Sequence, residues 1–481
     1  MVKHSFLRPL ILLHRCFGVA FCLLFAMWFA SGIVMHFVPF PAPSESGRIA
    51  ALLPIDLTRI SYTPAQAVAA SEIGEPIRVR LMQRADEPVY VVSGSDRAKA
   101  LRAADLGDAA VRSAEAAIVL ATPGEHQRHL DNMNTPGAVE ISADQWTVSQ
   151  QYDSHRPLYR VALNDPAGKE RYVSGTTGEI VLTTTSDQRR WNYLGSIVHW
   201  IYPAILRSHP HLWGALLWWL ALLASVGASL GAAVGILRIG FKGSRLLSPY
   251  IGWHALHHWL GLICMPFVLT WIISGWLSMD SGWLFSTGEI APAQTRAIIG
   301  HPDWQQLPPD ELQQVPTAAD ELEWFTFGGR IYRRERFGSE RQQLFITGAE
   351  SPRLPERPFL RPDEVDLALQ RLGMPCNLSF LIKPGDEYAT GSSMVHAPVF
   401  RTVCGSDWFH VDGANGRVIE QLDDSRRAYR WLYNGLHTLN FPTLMRHPLL
   451  RTVLIVFLCS CGFVFSVTGI VMAQSRLRSL W

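Results

Sequence analysis

The sequence predicts an α+β membrane protein with four transmembrane helices, arranged as two parallel copies of a unit made of a helix, an outer domain and a second helix. Three observations predict this fold: four long apolar stretches, basic residues in the short connections, and an internal repeat. Hydrophobic residues make up 48% of the 481 residues and charged residues only 17%, an unusual balance for a soluble chain. The formal charge of +2 argues against nucleic acid as a partner.

The apolar stretches are each long enough to cross a hydrocarbon core, which needs about 20 residues of helix. They cover residues 11–38, 212–237, 255–279 and 449–473. Basic residues precede the first stretch, as in a signal peptide. However, its apolar run is longer than a signal peptide requires and no small-residue cleavage site follows it. We therefore expect an uncleaved transmembrane helix.

The basic residues predict the orientation, because Lys and Arg in short loops stay on the cytoplasmic side. Loop 238–254 contains three of them and no acidic residue, and others flank the first and last helices. Both termini and this loop should be cytoplasmic. Residues 39–211 and 280–448 should then be two outer domains, in the periplasm of a bacterium whose inner membrane holds the chain.

The internal repeat relates the two halves of the chain at two offsets. At an offset of 243, three features of the first helix match features of the third helix: His14 matches His257, Gly18 matches Gly261, and Ser31-Gly32 matches Ser274-Gly275. At an offset of 238, the segments that precede the second and fourth helices match: His199 with His437, and His209-Pro210 with His447-Pro448. Each copy crosses the membrane twice, so the copies share one orientation and their axis should lie along the membrane normal.

The outer segments have an α+β pattern. Thr63-Pro64 indicates a capped helix start, residues 77–82 and 89–94 alternate as strands, and glycine-containing turns after residues 174 and 412 indicate hairpins. Cys376 and Cys404 lie in the second outer segment, where an oxidising compartment permits a disulfide. The other five cysteines lie in apolar helices and are expected to be core residues.

These features together resemble the PepSY-associated transmembrane family. The residues that carry the resemblance are LHR at the start of the first helix, the DGANGRVI hairpin, and LYNGLHTLNFP with the His-Pro pairs before the last helix. The branch that the chain resembles most is the membrane-bound ferrisiderophore reductases, which carry two b-type haems. The resemblance implies two periplasmic PepSY-like domains, haem b as cofactor and a ferric siderophore as substrate. The sequence has no dinucleotide-binding or P-loop pattern, so a quinol or a separate cytoplasmic reductase should donate the electrons.

The histidines are the candidate haem ligands, because ionisable residues at the ends of membrane helices are costly and neutral imidazole binds haem iron. His14 and His257 begin equivalent helices, and each has a glycine four residues later that leaves room for a porphyrin. We expect them to ligate a haem near the cytoplasmic face, with His258 and His254 as competitors for the second position.

The outer haem has more candidate ligands than ligand positions. Equivalence favours His199 and His437, followed by His36 and then by His447 or His209. The two His-Pro pairs could instead only shape the start of the following helices.

The predicted function is therefore one-electron transfer across the membrane that reduces Fe(III) to Fe(II) in a periplasmic ferric siderophore, which needs no acid or base residue. The alternatives are a permease component for the siderophore and a PepSY scaffold or regulator without enzymatic activity.

Overall fold

The computed structural model describes residues 2–49, 52–85, 87–122, 136–242, 245–280, 282–315, 319–338, 341–347, 357–383, 385–388 and 398–478. The α-helices, in chain order, are α1 (Val2–Phe37), α2 (Glu45–Ile49), α3 (Pro64–Ser71), α4 (Ala114–Ala121), α5 (Ser186–Leu194), α6 (Ser196–His199), α7 (Ala204–Arg207), α8 (Pro210–Leu237), α9 (Gly252–Ser278), α10 (Pro292–Ile299), α11 (Pro362–Gln370), α12 (Asp424–Tyr429), α13 (Pro442–Met445) and α14 (Pro448–Arg478). The strands are β1 (Arg78–Arg84), β2 (Glu87–Ser93), β3 (Ala98–Arg102), β4 (Gly137–Ile141), β5 (Leu158–Ala162), β6 (Glu170–Ser174), β7 (Ile180–Thr184), β8 (Gly240–Lys242), β9 (Arg245–Leu247), β10 (Glu321–Phe327), β11 (Arg330–Phe337), β12 (Arg341–Ile346), β13 (Phe380–Leu381), β14 (Val399–Cys404), β15 (Asp407–Asp412) and β16 (Val418–Leu422).

Four of these helices, α1, α8, α9 and α14, are long and apolar enough to cross a membrane, which confirms the multi-pass prediction for the described residues. They pack as a ring: α1 contacts α14 and α8, and α9 contacts α8 and α14. Helices α1 and α9 therefore stand at opposite corners of the bundle. Their inward side chains face each other across its interior.

The local predictions for the outer segments are confirmed. Thr63 caps α3 by accepting a hydrogen bond from the backbone N–H of Gln66, whose side chain bonds back to Thr63. Strands β1 and β2 fall where alternation predicted them, and both hairpins form, as β6–β7 and β15–β16. Cys376 and Cys404 form a disulfide.

The two outer segments share one antiparallel sheet. Its strand order is β12-β11-β10-β1-β2-β3, so the first three strands of each segment meet edge to edge. Two further four-stranded antiparallel sheets, β4-β5-β6-β7 and β13-β14-β15-β16, each belong to one segment. The pairing of β1 with β10 therefore links the backbones of the two segments.

One face of this shared sheet carries buried charges at the β1–β10 junction. Arg78 pairs in register with Phe325, Arg80 with Glu323 and Met82 with Glu321. Across the junction, Arg78 forms an ion pair with Glu323 at 2.9 Å. Such charges are tolerated in an interior only when they are paired, so this cluster fixes how the two segments meet.

Candidate functional site

The inner pair of predicted ligands comes together in the helix bundle. His14 on α1 and His257 on α9 face each other, and their ring centroids are 6.3 Å apart with the planes tilted by 33°. The two helices stand at opposite corners, so the imidazoles meet across the bundle interior rather than along a helix contact.

Two glycines on the other helices make room for these imidazoles. A Cβ atom on Gly231 of α8 would lie 2.6 Å from Cε1 of His14, closer than real atoms approach. A Cβ on Gly469 of α14 would lie 3.8 Å from Cε1 of His257. Gly231 and Gly469 are 238 residues apart, the offset of the predicted repeat. Each inner histidine is therefore packed against an equivalent glycine on the neighbouring helix.

The hydrogen bonds of the inner pair differ. Nδ1 of His257 lies 2.8 Å from the hydroxyl of Thr468, and the His257 ring stacks on Phe465 at 4.7 Å. Nδ1 of His14 is buried and has no hydrogen-bond partner among the described residues. The predicted porphyrin notches also differ, since a Cβ on Gly18 would meet open space whereas one on Gly261 would lie 3.2 Å from the Phe465 ring.

The competitors for the inner site have other surroundings. His258 is buried and uses both ring nitrogens, Nδ1 with the Ser248 hydroxyl and Nε2 with the Gly235 carbonyl, each at 2.9 Å. His254 is exposed and stands beside Tyr250. Since a metal ligand needs a free nitrogen lone pair, the geometry favours His257 over His258.

The outer pair of predicted ligands is held against the same two helices. Nδ1 of His199 lies 3.0 Å from the hydroxyl of Ser31 on α1, and Nδ1 of His437 lies 3.2 Å from the hydroxyl of Ser274 on α9. Trp28 of α1 also donates its indole N–H to the His199 carbonyl at 2.9 Å. The two hydroxyl contacts to the imidazoles come from the serines of the Ser-Gly pairs that the predicted repeat matches.

The glycine of each Ser-Gly pair lies beside the imidazole. A Cβ on Gly32 would be 3.7 Å from Cε1 of His199, and one on Gly275 would be 3.1 Å from Cε1 of His437. Burial lowers the pKa of His199 and of His437, and the neighbouring His437 lowers the pKa of His199 further. Burial thus favours the neutral imidazole, the form that binds a metal.

The serine and threonine hydroxyls fix which nitrogen of each imidazole carries the proton. Ser31 donates its own proton to the Met27 carbonyl at 2.6 Å, and Thr468 donates to the Phe465 carbonyl at 2.6 Å. Each hydroxyl can then only accept from its histidine, so Nδ1 is protonated. Ser274 behaves alike, with the Trp271 carbonyl as its acceptor. The Nε2 lone pairs of these three histidines are left for another ligand.

The backbone after each outer histidine is strained. Ile201 and Leu439, two residues beyond His199 and His437, have φ angles of 45° and 50°. This left-handed region is costly for residues with a bulky side chain, and such strain is concentrated at functional sites. A π-helical turn at Arg430–Gly435 also precedes His437. The chain is thus turned sharply on both sides of the bundle to present the two imidazoles.

The remaining outer candidates lie apart from this arrangement. Nε2 of His36 lies 2.9 Å from the Thr452 hydroxyl. His209 and His447 immediately precede α8 and α14 and are exposed. Their place agrees with the alternative in which the His-Pro pairs only shape the helix starts.

The two histidine pairs lie near opposite ends of the bundle. Seventeen residues separate His14 from Ser31, and the same number separates His257 from Ser274. At 1.5 Å per residue the pairs are about 25 Å apart along the helix axis, close to the thickness of a hydrocarbon core.

Several residues of the site were not singled out in the sequence as ligand partners. They are Thr468, Gly231 and Gly469, and the offset of 238 that relates the two glycines is a signal that could have found them. Within the described part of the chain, no cluster of three or more His, Cys, Asp or Glu side chains has a metal-binding arrangement. The candidate centres are therefore pairs of histidines.

The comparison with protein families covers nearly the whole chain. The family model described as PepSY-associated TM region matches residues 11–476. No curated protein matches the chain significantly.

Proposed function

The chain belongs to the PepSY-associated TM region family, and from this premise we propose that it is a dihaem electron-transfer protein of the bacterial inner membrane. It reduces Fe(III) to Fe(II) in a ferric siderophore on the periplasmic side. His14 and His257 hold one haem b near the cytoplasmic face, and His199 and His437 hold the second near the outer face.

The observation that carries this proposal is the distance between the inner imidazoles. A metal–imidazole bond of about 2 Å plus the roughly 1.2 Å from the bound nitrogen to the ring centre places each centroid about 3.2 Å from the metal. Two imidazoles on opposite sides of one metal then have centroids about 6.4 Å apart. The separation of 6.3 Å between His14 and His257 agrees with this value.

Two further features of the site fit a haem. The glycines Gly231 and Gly275 keep space for imidazoles, since a Cβ atom there would lie 2.6 Å from Cε1 of His14 and 3.1 Å from Cε1 of His437. The Nδ1–H tautomers of His199 and His437 leave Nε2 free, which is the usual arrangement when a hydrogen bond orients a ligand histidine.

The register of the shared sheet supports the parallel repeat. The offset of 243 relates Arg78 to Glu321, Arg80 to Glu323 and Met82 to Phe325. In the sheet, Arg80 pairs with its own equivalent Glu323, whereas Arg78 pairs with Phe325 and Met82 pairs with Glu321. Two copies related by a two-fold axis along the membrane normal produce such a register. Basic loop residues favour the cytoplasmic side, which supports the proposal that both termini are cytoplasmic and both PepSY-like domains are periplasmic.

Haem supplies reversible one-electron chemistry, and the protein residues bind and insulate it. The distance of about 25 Å between the two histidine pairs along the helix axis is consistent with one proposed centre near each membrane face. A quinol that loses two electrons and two protons to become a quinone balances the reduction of two ferric ions, and a cytoplasmic reductase could supply the same electrons. The periplasmic domains flank the outer centre, where the ferric complex accepts the electron.

The permease alternative is disfavoured by the centre of the bundle. Between the two histidine pairs the described side chains form an apolar cluster that includes Phe29, Cys264, Val268, Trp271 and Cys459. Discontinuous helices and polar midplane residues are typical of transporters, whereas this part of the described bundle is packed mainly with apolar side chains.

The proposal is tested by the ligand variants His14→Ala and His257→Ala in full-length protein purified from haem-replete cells. Each should lose the same one of two b-type haems and retain the other. His254→Ala, which changes an exposed histidine three residues from His257, is the matched control and should keep both. If both haems survive the His14 and His257 changes, the inner assignment is wrong.

A further inference from the structure

The hydroxyl partners of the four proposed ligands are unevenly distributed between the two centres. At the outer centre both imidazoles are bonded to a hydroxyl, His199 to Ser31 and His437 to Ser274, and Nδ1 of His437 also lies 3.1 Å from the Trp271 carbonyl. At the inner centre, only His257 has such a partner, Thr468. Nδ1 of His14 has none among the described residues, although the Gly227 carbonyl lies near the ring.

The sequence shows which residue stands where a hydroxyl partner of His14 would be expected. Thr468 immediately precedes Gly469, which packs against His257, and Leu230 immediately precedes Gly231, which packs against His14. Leu230 therefore occupies the place where a hydroxyl would serve His14. The inner centre therefore has one hydroxyl partner where the outer centre has two.

A hydrogen bond from Nδ1–H makes the imidazole a stronger electron donor through Nε2. A hydroxyl whose proton is already given to a helix carbonyl accepts that bond well, as Ser31 and Thr468 do. A more basic ligand stabilises the oxidised metal relative to the reduced one, so it lowers the reduction potential.

We propose that Ser31, Ser274 and Thr468 are positioning residues that set the relative reduction potentials of the two centres. Because Leu230 has no hydroxyl to offer His14, the two imidazoles of the inner centre are together the weaker electron donors. This inference rests on the proposed haem ligation. Each hydroxyl lowers the potential of its own centre. The outer centre, with two such bonds, becomes the stronger reductant, as a ferric complex of hard-oxygen ligands requires.

The test is a spectroelectrochemical redox titration of the purified full-length protein, with the inner haem identified from the His14→Ala spectrum. Ser31→Ala should raise the outer potential and leave the inner one unchanged, and Ser274→Ala should act in the same direction but by less, because the Trp271 carbonyl still accepts from His437. We expect a twofold to tenfold change in the reduction equilibrium, about 18 to 59 mV for a one-electron couple.

The reciprocal variant is Leu230→Thr, which should lower the inner potential by a similar factor. The matched control is Ser225→Ala, because Ser225 is a buried serine of α8 whose hydroxyl bonds the Ala221 carbonyl and no histidine. It should change neither potential. Ser31→Thr keeps the hydroxyl and should restore the potential of the unmodified protein.

The outcomes separate the two proposals. Purified protein without haem defeats the proposed function itself. Two haems whose potentials are as insensitive to Ser31→Ala and Ser274→Ala as to Ser225→Ala overturn this inference and leave the proposed function intact. If the serine variants lose the outer haem, Leu230→Thr decides, and an unchanged inner potential there overturns the inference.

Discussion

Alanine in place of Gly231 should displace the His14 imidazole, whereas alanine in place of Gly469 should be tolerated. The new Cβ at Gly231 would lie 2.6 Å from Cε1 and 3.0 Å from Nδ1 of His14. Carbon atoms in contact are about 3.5–4.0 Å apart, so the ring must move by about 1 Å. At Gly469 the new Cβ would lie 3.8 Å from His257, an ordinary contact.

The magnitude follows from two opposing effects. Overpacking of a well-packed interior costs about 1–3 kcal/mol, while replacing glycine by alanine inside a helix stabilises it by up to about 1 kcal/mol. Gly231→Ala should therefore be destabilising by about 0–2 kcal/mol, and Gly469→Ala should be neutral or stabilising. Displacing an oriented ligand typically lowers metal affinity about 10–100-fold.

The assay combines the haem-to-protein ratio of the purified variants with their thermal unfolding in detergent. Gly231→Ala should lose occupancy of the inner haem only, and Gly469→Ala should keep both haems. Equal haem content and equal melting temperatures in the two variants would refute the view that Gly231 makes room for the His14 ligand.

Three more predictions concern single side chains. His36→Ala should leave both haems in place, because its Nε2 already bonds a neighbouring hydroxyl; a haem lost from this variant contradicts the outer assignment. Cys376→Ser opens a disulfide spanning 28 residues and should lower the free energy of unfolding by about 3–4 kcal/mol. Unfolding in denaturant measures this loss, and the Cys376→Ser/Cys404→Ser double variant should show the same loss. Burial alone would raise the pKa of Glu45, but the ion pair with Arg48 lowers it to about 2. The stabilisation from this carboxylate is therefore present above the unfolded pKa of about 4.5 and is lost as the pH falls towards 2. Glu45→Gln should therefore reduce the fall in melting temperature between pH 6 and pH 3, and an unchanged pH dependence would contradict the ion pair.

The membrane helices could be predicted from the sequence because one physical requirement governs them. A helix that crosses a hydrocarbon core needs about 20 apolar residues, and the stretch predicted at 212–237 is α8, Pro210–Leu237. The capped start of α3 at Thr63 and the hairpins follow equally local rules. Such features depend on residues that are near each other in the chain.

The sharing of one sheet between the outer segments could not be predicted in this way. The β1–β10 pairing joins residues more than 200 positions apart, and neither strand has a turn that specifies its partner. The register pairs residues of both segments, such as Arg80 and Glu323, which are 243 positions apart in the chain. Local pattern reasoning has no access to such pairings.

The candidate site shows the same division. Equivalence in the repeat was enough to single out His14, His257, His199 and His437. It did not supply the roles of the serines, because a Ser-Gly pair in a membrane helix is equally typical of close helix packing. Only the fold brings Ser31 to His199, 168 residues away.

The central claim is that the two histidine pairs hold two haems, and the visible spectrum of the purified protein tests it most directly. The protein should be recorded oxidised and after dithionite reduction, with haem quantified per chain. The proposal predicts low-spin b-type bands at about two haems per chain. A colourless protein purified from haem-replete cells would contradict it.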